Sequence, residues 1–206
     1  MRFLDFLFPP RVDEVALRDF SDDAFFSLLS PRLVPMTRPG TVALFPFSDA
    51  RVRAVIHEAK YHGSERALRL LSSALADYVR EADVPYGRAG PALVPVPLGK
   101  KRRFERGFNQ VEEIVNGAMA ELGEKWGGAV LPSLLERVRE TASQVSLPRA
   151  AREENMREAF RAGAAAPARL YIVIDDVVTT GATLQAAIDA LREAGANNIL
   201  PLALAH

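Results

Sequence analysis

Apolar and polar positions alternate along this chain in a way that sorts it into two unequal parts. Residues 1–48 carry Pro9, Pro10, Pro31, Pro35, Pro39 and Pro46 with short apolar pieces between them. That spacing predicts an irregular N-terminal segment with brief helices and no core of its own. From Asp49 onward the periods lengthen. Asp49 or Ser48 is placed to cap a helix to about Tyr61, stopped by Gly63. Leu68, Leu71, Leu75 and Tyr78 recur at helical spacing and predict a helix over about Glu65 to Glu81. Ala92 to Val96 is a short apolar run of strand type, followed by a polar basic loop from Leu98 to Gly107 and an amphipathic helix from about Asn109 to Leu122. Residues 129–168 are less regular, with a charged helix candidate near Arg149 to Glu158. Leu170 to Ile174 is a continuous apolar run rich in β-branched residues, a helix opens near Gly181 and ends at Gly195, and Ile199 to Ala205 is a last strand. Strand, loop and helix in repetition predict an α/β domain over 49–206 with a mostly parallel sheet, whose ligands sit outside the carboxyl ends of the strands.

Composition narrows the classes. The chain has 206 residues, 49% hydrophobic and 25% charged, which excludes a disordered or collagen-like chain. Lys+Arg and Asp+Glu both number 26, so the formal charge is zero, which argues against a general nucleic-acid binder but leaves room for a local basic patch. Cysteine is absent, which removes disulfides, thiol nucleophiles and thiolate zinc sites. No run approaches the roughly 20 apolar residues of a membrane span, and Asp5 interrupts the N-terminal apolar stretch, making it a poor signal peptide. A cytoplasmic location is expected.

The chemistry concentrates in Tyr171-Ile172-Val173-Ile174-Asp175-Asp176-Val177-Val178-Thr179-Thr180-Gly181-Ala182-Thr183. An apolar strand ends in two aspartates, and a Thr-rich turn then enters a helix. Backbone N–H groups and hydroxyls at a helix N-terminus form an anion site suited to a phosphate monoester. Gly181 is expected to let the backbone approach that ligand without a Cβ. The aspartates are acceptors for vicinal hydroxyls, so phosphate at one end and diol at the other describe a ribose 5-phosphate. Helix capping accounts for one Asp or Thr, not for the whole run. The segment resembles the 5-phosphoribosyl-1-pyrophosphate (PRPP) motif of type I phosphoribosyltransferases. The resemblance implies that Asp175 and Asp176 take the ribose hydroxyls, that Thr179, Thr180, Gly181, Ala182 and Thr183 cradle the 5-phosphate, and that Mg²⁺ accompanies PRPP, held mainly by the ligand's own oxygens.

A second segment, Val94-Pro95-Val96-Pro97 followed by Leu98-Gly99-Lys100-Lys101-Arg102-Arg103-Phe104-Glu105-Arg106-Gly107-Phe108-Asn109-Gln110, puts a cluster of cations between strand and helix. Pyrophosphate needs cations and close amides, so Arg102, Arg103, Arg106 and Gly107 are candidates to hold a leaving pyrophosphate, against the reading of a solvated basic loop. Lys60 is a further candidate to reach a phosphate. His62 beside it reads as a helix-end histidine favoured by the C-terminal dipole, and His57, His62 and His206 do not show a metal-ligand spacing.

PVP…RGFNQ is similar to the signature of the ComF family of competence-associated, phosphoribosyltransferase-like proteins. Lys60-Tyr61-His62-Gly63 is similar to that family's KYxG, and Arg137 through Phe160 follows its pattern at Thr141, Gln144, Leu147, Arg152, Asn155 and Phe160. The resemblance implies a type I phosphoribosyltransferase fold with a mostly parallel sheet flanked by helices and a hood drawn from residues 1–48 and 129–168. It departs at the N-terminus, where Val12 and Val15 stand in place of the usual cysteines. No zinc is therefore expected, and the module is either lost or held by apolar contacts. Three functions stay open: a Mg²⁺-dependent phosphoribosyltransferase with an unknown acceptor, in which Asp175, Asp176 and Arg106 carry the chemistry; a non-catalytic PRPP- or nucleotide-binding sensor; and a DNA-uptake protein that partners the competence machinery or binds single-stranded DNA weakly through Lys100 to Arg106.

Overall fold

A computed structural model describes residues 11–82, 90–139 and 159–206. The core is a six-stranded sheet in the order β1-β2-β8-β7-β3-β4. Its strands are β1 (Arg32–Val34), β2 (Thr41–Phe45), β3 (Ala92–Pro95), β4 (Ala129–Val130), β7 (Leu170–Val177) and β8 (Asn198–Ala205). β1 runs antiparallel to β2 and every other pairing is parallel, so the expected mostly parallel α/β sheet is present. The sequence pattern assigned no strand to residues 1–48, yet β1 and β2 lie there, and β2 pairs with β8. Five residues between prolines and a glycine carry too little alternation to mark a strand that is buried on both faces.

Both faces of the sheet are covered. Leu170, Ile172 and Ile174 of β7 pack with Leu93 against α3 (Ala50–His62), α4 (Glu65–Glu81) and α6 (Gln110–Leu122). The alternate residues Tyr171 and Val173 pack with Val94 and Ala203 against α7 (Ala182–Glu193). Burial on both sides explains why β7 reads as a continuous apolar run. A two-stranded antiparallel sheet, β5 (Leu135–Arg137) with β6 (Phe160–Ala162), lies on the α7 side. The remaining elements are α1 (Val12–Arg18), α2 (Asp22–Phe26), α5 (Lys100–Arg106) and a 3-10 turn at Glu124–Trp126. No helix among the described residues is long and apolar enough to cross a membrane.

Capping sets the helix starts as expected. Asp49 Oδ1 accepts the Arg51 N–H at 2.8 Å at the start of α3, and Asn109 Oδ1 accepts the Val111 N–H at 3.1 Å at the start of α6. The segment read as a basic loop is the exception. Lys100-Lys101-Arg102-Arg103-Phe104-Glu105-Arg106 forms α5, a two-turn helix with no buried residue. The run holds no Gly, Pro or β-branched residue, so local propensity favours helix even without an apolar face to announce it. Gly107 closes it at φ 78°, and a Cβ there would meet nothing within 4 Å, so the position needs the left-handed backbone and not a close approach. The helix candidate at 149–158, the motif positions Thr141, Gln144, Leu147, Arg152 and Asn155, and residues 1–10 lie outside the described residues.

Candidate functional site

The paired strands β3 and β7 send the chain to opposite faces of the sheet, β3 toward α6 and β7 toward α7. A crevice must open where the direction switches, beyond the carboxyl ends of these strands. A cleft of about 730 Å³ lies there. Asp175 and Asp176 from β7, Thr179 and Thr183 from the following turn, Lys60 from α3, and Arg102 and Arg106 from α5 all line it. Thr180, Gly181 and Ala182 line, with Thr179 and Thr183, a separate hollow of about 30 Å³ inside the turn. Helical spacing explains the division of the arginines. Arg102 and Arg106 are four residues apart and share a face, whereas Arg103 turns away to Glu112, 3.3 Å from its carboxylate. Neither Arg103 nor Gly107 lines the cleft.

The aspartates are not equivalent. Asp176 is 8% exposed, and its Oδ2 meets two donors at 2.7 Å, the Lys60 ammonium and the Gln110 amide. Its Oδ1 accepts the Val177 N–H at 2.7 Å. Burial pushes this carboxyl up, but the Lys60 charge and the three donated hydrogen bonds outweigh it and hold it below the ordinary carboxylate range. Asp175 Oδ1 accepts the Asp176 N–H at 2.9 Å, and among the described residues no hydrogen bond reaches its Oδ2. Burial, and then the adjacent Asp176 carboxylate, push Asp175 up to about 7.

Lys60 was expected to reach for a phosphate; its ammonium lies 2.7 Å from Asp176 Oδ2 and neutralises that carboxylate. Gly181 was expected to admit a ligand. At φ 76° it takes a left-handed backbone, and the space its Cβ would fill is held by the Met36 carbonyl from the turn between β1 and β2. The glycine therefore allows two parts of this chain to approach each other. Gly181 supplies no side-chain cap to α7; the Ala182 N–H meets the Thr180 hydroxyl at 3.5 Å, and among the described residues no side chain caps the Thr183 and Leu184 amides that follow.

Several cleft residues were not selected from the sequence. Gln110 was quoted in a motif without a role, yet its buried side chain bonds both Asp176 and Arg106. The Arg106 guanidinium also lies 5.0 Å over the Tyr61 ring. Arg137, at the end of β5, enters the cleft with its guanidinium 5.4 Å over Phe160. Arg53, Ile56, His57 and Lys60 line one stripe of α3, a helical spacing that could have been read from the lysine backwards. Asp13, which reaches the cleft through α1 and lies 2.8 Å from His57 Nδ1, had no such signal.

The way α1 docks answers the question raised by the missing cysteines. Val12 is 85% exposed and Val15 is also exposed, so the valines do not hold the segment by apolar contact. Arg11 instead donates to both oxygens of Glu58, at 3.1 and 2.8 Å, and Glu58 is 1% exposed. Leu17 adds a buried apolar anchor. His57, Glu58 and His62 come together here, with ligand atoms within 4.8 Å, although the spacing had suggested no such group. Arg11 already occupies both Glu58 oxygens, so a guanidinium is the cation of this cluster.

No family model matches the chain. Among curated proteins it is similar to the DNA utilization protein YhgH of Salmonella typhi, 30% identical over 146 residues, which are 70% of this chain and 63% of that protein. Competence protein F of Haemophilus influenzae is 30% identical over 142 residues, 67% of this chain and 58% of the relative. The chain belongs to the ComF family. A third ComF relative, competence protein ComFC of Streptococcus pneumoniae, is 36% identical over 113 residues, 54% of this chain and 46% of its own. The chain thus spans less than two thirds of the length of the ComF relatives it matches.

Proposed function

We propose that the chain is a competence-related, phosphoribosyltransferase-like protein that binds PRPP with Mg²⁺ in the cleft beyond β3 and β7. The observation that carries this reading is the asymmetric aspartate pair, in which no hydrogen bond from the described residues reaches Asp175 Oδ2, next to a Thr-lined turn at the N-terminus of α7, where Gly181 supplies no side-chain cap. A diol fits the first and a phosphate monoester the second. The names of the ComF relatives, which refer to competence and DNA utilization, support the biological setting. Asp176, with Lys60 and Gln110 on one oxygen and Val177 on the other, is filled with donors and unsuited to a metal. In this reading Mg²⁺ would come with the ligand's own oxygens and would lower the charge on the leaving group.

Transfer to an acceptor would break the C1–pyrophosphate bond through an oxocarbenium-like transition state. Arg102 and Arg106 line the cleft where they can neutralise the departing pyrophosphate, while the aspartates keep the ribose in line. Binding without turnover, as in a sensor, fits the same cleft.

A second reading rests on α5. Phe104 is 90% exposed, flanked by Lys100, Lys101 and Arg103, a basic surface with an aromatic face suited to stacking on single-stranded DNA. The two readings separate in one experiment. Calorimetric titration with PRPP and Mg²⁺ is expected to show binding by the wild type and none by Asp175→Asn/Asp176→Asn. A folded wild type that takes up no PRPP overturns the first reading and leaves the DNA surface as the function to pursue.

A further inference from the structure

Among the described residues, Gln110 makes a pair of contacts that links the two ends of the cleft. The residue is 2% exposed. Arg106 Nη1 donates to Gln110 Oε1 at 3.1 Å, and Gln110 Nε2 donates to Asp176 Oδ2 at 2.7 Å. A primary amide has one accepting end and one donating end, and a guanidinium has no acceptor. The arginine therefore dictates which way the amide points. The oxygen must face Arg106, so the NH₂ must face Asp176, where an ionised carboxylate is the matching partner.

We propose that Gln110 is a positioning residue that couples Arg106, on the pyrophosphate side of the cleft, to Asp176, on the ribose side, through the fixed direction of its amide. The proposal rests on the PRPP reading for the identity of the two sides, but the coupling itself is a property of the ligand-free protein. Three neighbours make the geometry exacting. Lys60 shares Asp176 Oδ2 with the amide, Asp175 stands beside it on β7, and Tyr61 stacks on the Arg106 guanidinium. Arg137 enters the cleft from β5. Asp176 cannot rotate toward a ligand without releasing Gln110, and Arg106 cannot swing fully to an anion without freeing the amide oxygen. A ligand that engages both ends at once is therefore favoured over one that engages either alone.

The substitution Gln110→Glu separates positioning from space filling. A protonated glutamic acid copies the amide: its carbonyl accepts from Arg106 and its O–H donates to Asp176. An ionised glutamate accepts from Arg106 but puts a like charge against Asp176. The affinity of Gln110→Glu for PRPP with Mg²⁺ is expected to fall about 10- to 100-fold below wild type at about pH 8, and to return to within about threefold at about pH 5.5. Gln110→Met, which fills the same space without either bond, is expected to lose affinity with no such recovery. Thermal melts at each pH establish that the variants are folded. A Gln110→Glu deficit that does not change with pH, or a Gln110→Met variant that binds like wild type, overturns the proposal.

A ligand-free measurement keeps this test apart from the PRPP reading. The Gln110 side-chain amide protons, identified in ¹⁵N–¹H spectra by their loss in Gln110→Met, are expected to exchange slowly with solvent in wild type. They should become fast-exchanging in both Arg106→Met and Asp176→Ala. If those protons are slow and PRPP does not bind, the PRPP reading fails and the coupling stands. If they exchange as fast in wild type as in Arg106→Met, the coupling fails whatever PRPP does.

Discussion

Removing the Asp175 carboxylate should stabilise this protein while impairing its site. Asp175 is pushed up to about 7 by burial and by the Asp176 carboxylate, against an ordinary value of 3.8. At low pH, below about 4, it is protonated in both the folded and unfolded chain and costs nothing. Between about pH 4 and 7 the unfolded chain ionises while the folded protein keeps its proton, so stability falls as pH rises. Above about 7 the folded protein ionises too and the full penalty is reached. The interval is roughly 3 pH units, and at about 1.4 kcal/mol per unit the penalty is of the order of 4 kcal/mol. Asp175→Asn keeps the oxygen that accepts the Asp176 N–H at 2.9 Å and removes the charge. The variant should match wild type near pH 4 and exceed it by about 2 to 4 kcal/mol near pH 8. Urea unfolding of both proteins at several pH values measures the difference. A gap that stays constant with pH, or a wild type that is the more stable at pH 8, refutes the argument. Asp176 opposes this trend: its lowered value contributes stability above about 3.8 that is lost as pH falls below it, in both proteins, so it largely cancels in the comparison. PRPP affinity should move the other way in Asp175→Asn, because Oδ2 becomes an amide nitrogen that cannot accept.

Three further outcomes follow from contacts outside the aspartate pair. Arg11→Met leaves the Glu58 carboxylate, 1% exposed, without its guanidinium, and should cost about 2 to 4 kcal/mol in chemical denaturation, less than a fully buried pair because Arg11 is half-exposed; Arg11→Met with Glu58→Gln should recover most of that loss. Gly181→Ala meets both a left-handed backbone and the Met36 carbonyl, and should lower stability by more than about 2 kcal/mol and displace the Thr turn, seen as a reduced melting temperature together with weakened PRPP binding. Phe104→Ala should leave stability within about 0.5 kcal/mol of wild type, since the ring is 90% exposed, while single-strand DNA binding, measured by fluorescence anisotropy, should weaken at least several-fold if α5 is a stacking surface.

Much of this protein is legible in its sequence. α4 begins at Glu65 and ends at Glu81, where the leucine spacing put it, because its apolar stripe and flanking breaks are local signals. Asp175 and Asp176 stand at the end of a strand for the same reason, since a β-branched run followed by a Thr-Gly turn has few other readings. β2 was missed because its burial depends on β8, more than 150 positions away in the chain. α5 was missed because a helix with no buried residue has no apolar period to detect. At the N-terminal dock the apolar contact comes from Leu17 and not from the exposed valines, and the ion pair that no local pattern announces joins Arg11 to Glu58 across 47 positions.

Local signals mark the helices at 50–62, 65–81, 110–122 and 182–193, the strands at 92–95, 170–177 and 198–205, the chemistry available at the end of β7, and the absence of any thiol. Each of these depends on residues close together in the chain, where periodicity, capping and composition act. Tertiary structure alone decided which charges face one another. It set Lys60 on Asp176 instead of on open solvent, and inserted Gln110 between an arginine and a carboxylate. The physical reason is that pairing energies fall off within a few ångströms, and those distances are set by how helices pack on the sheet, not by spacing along the chain.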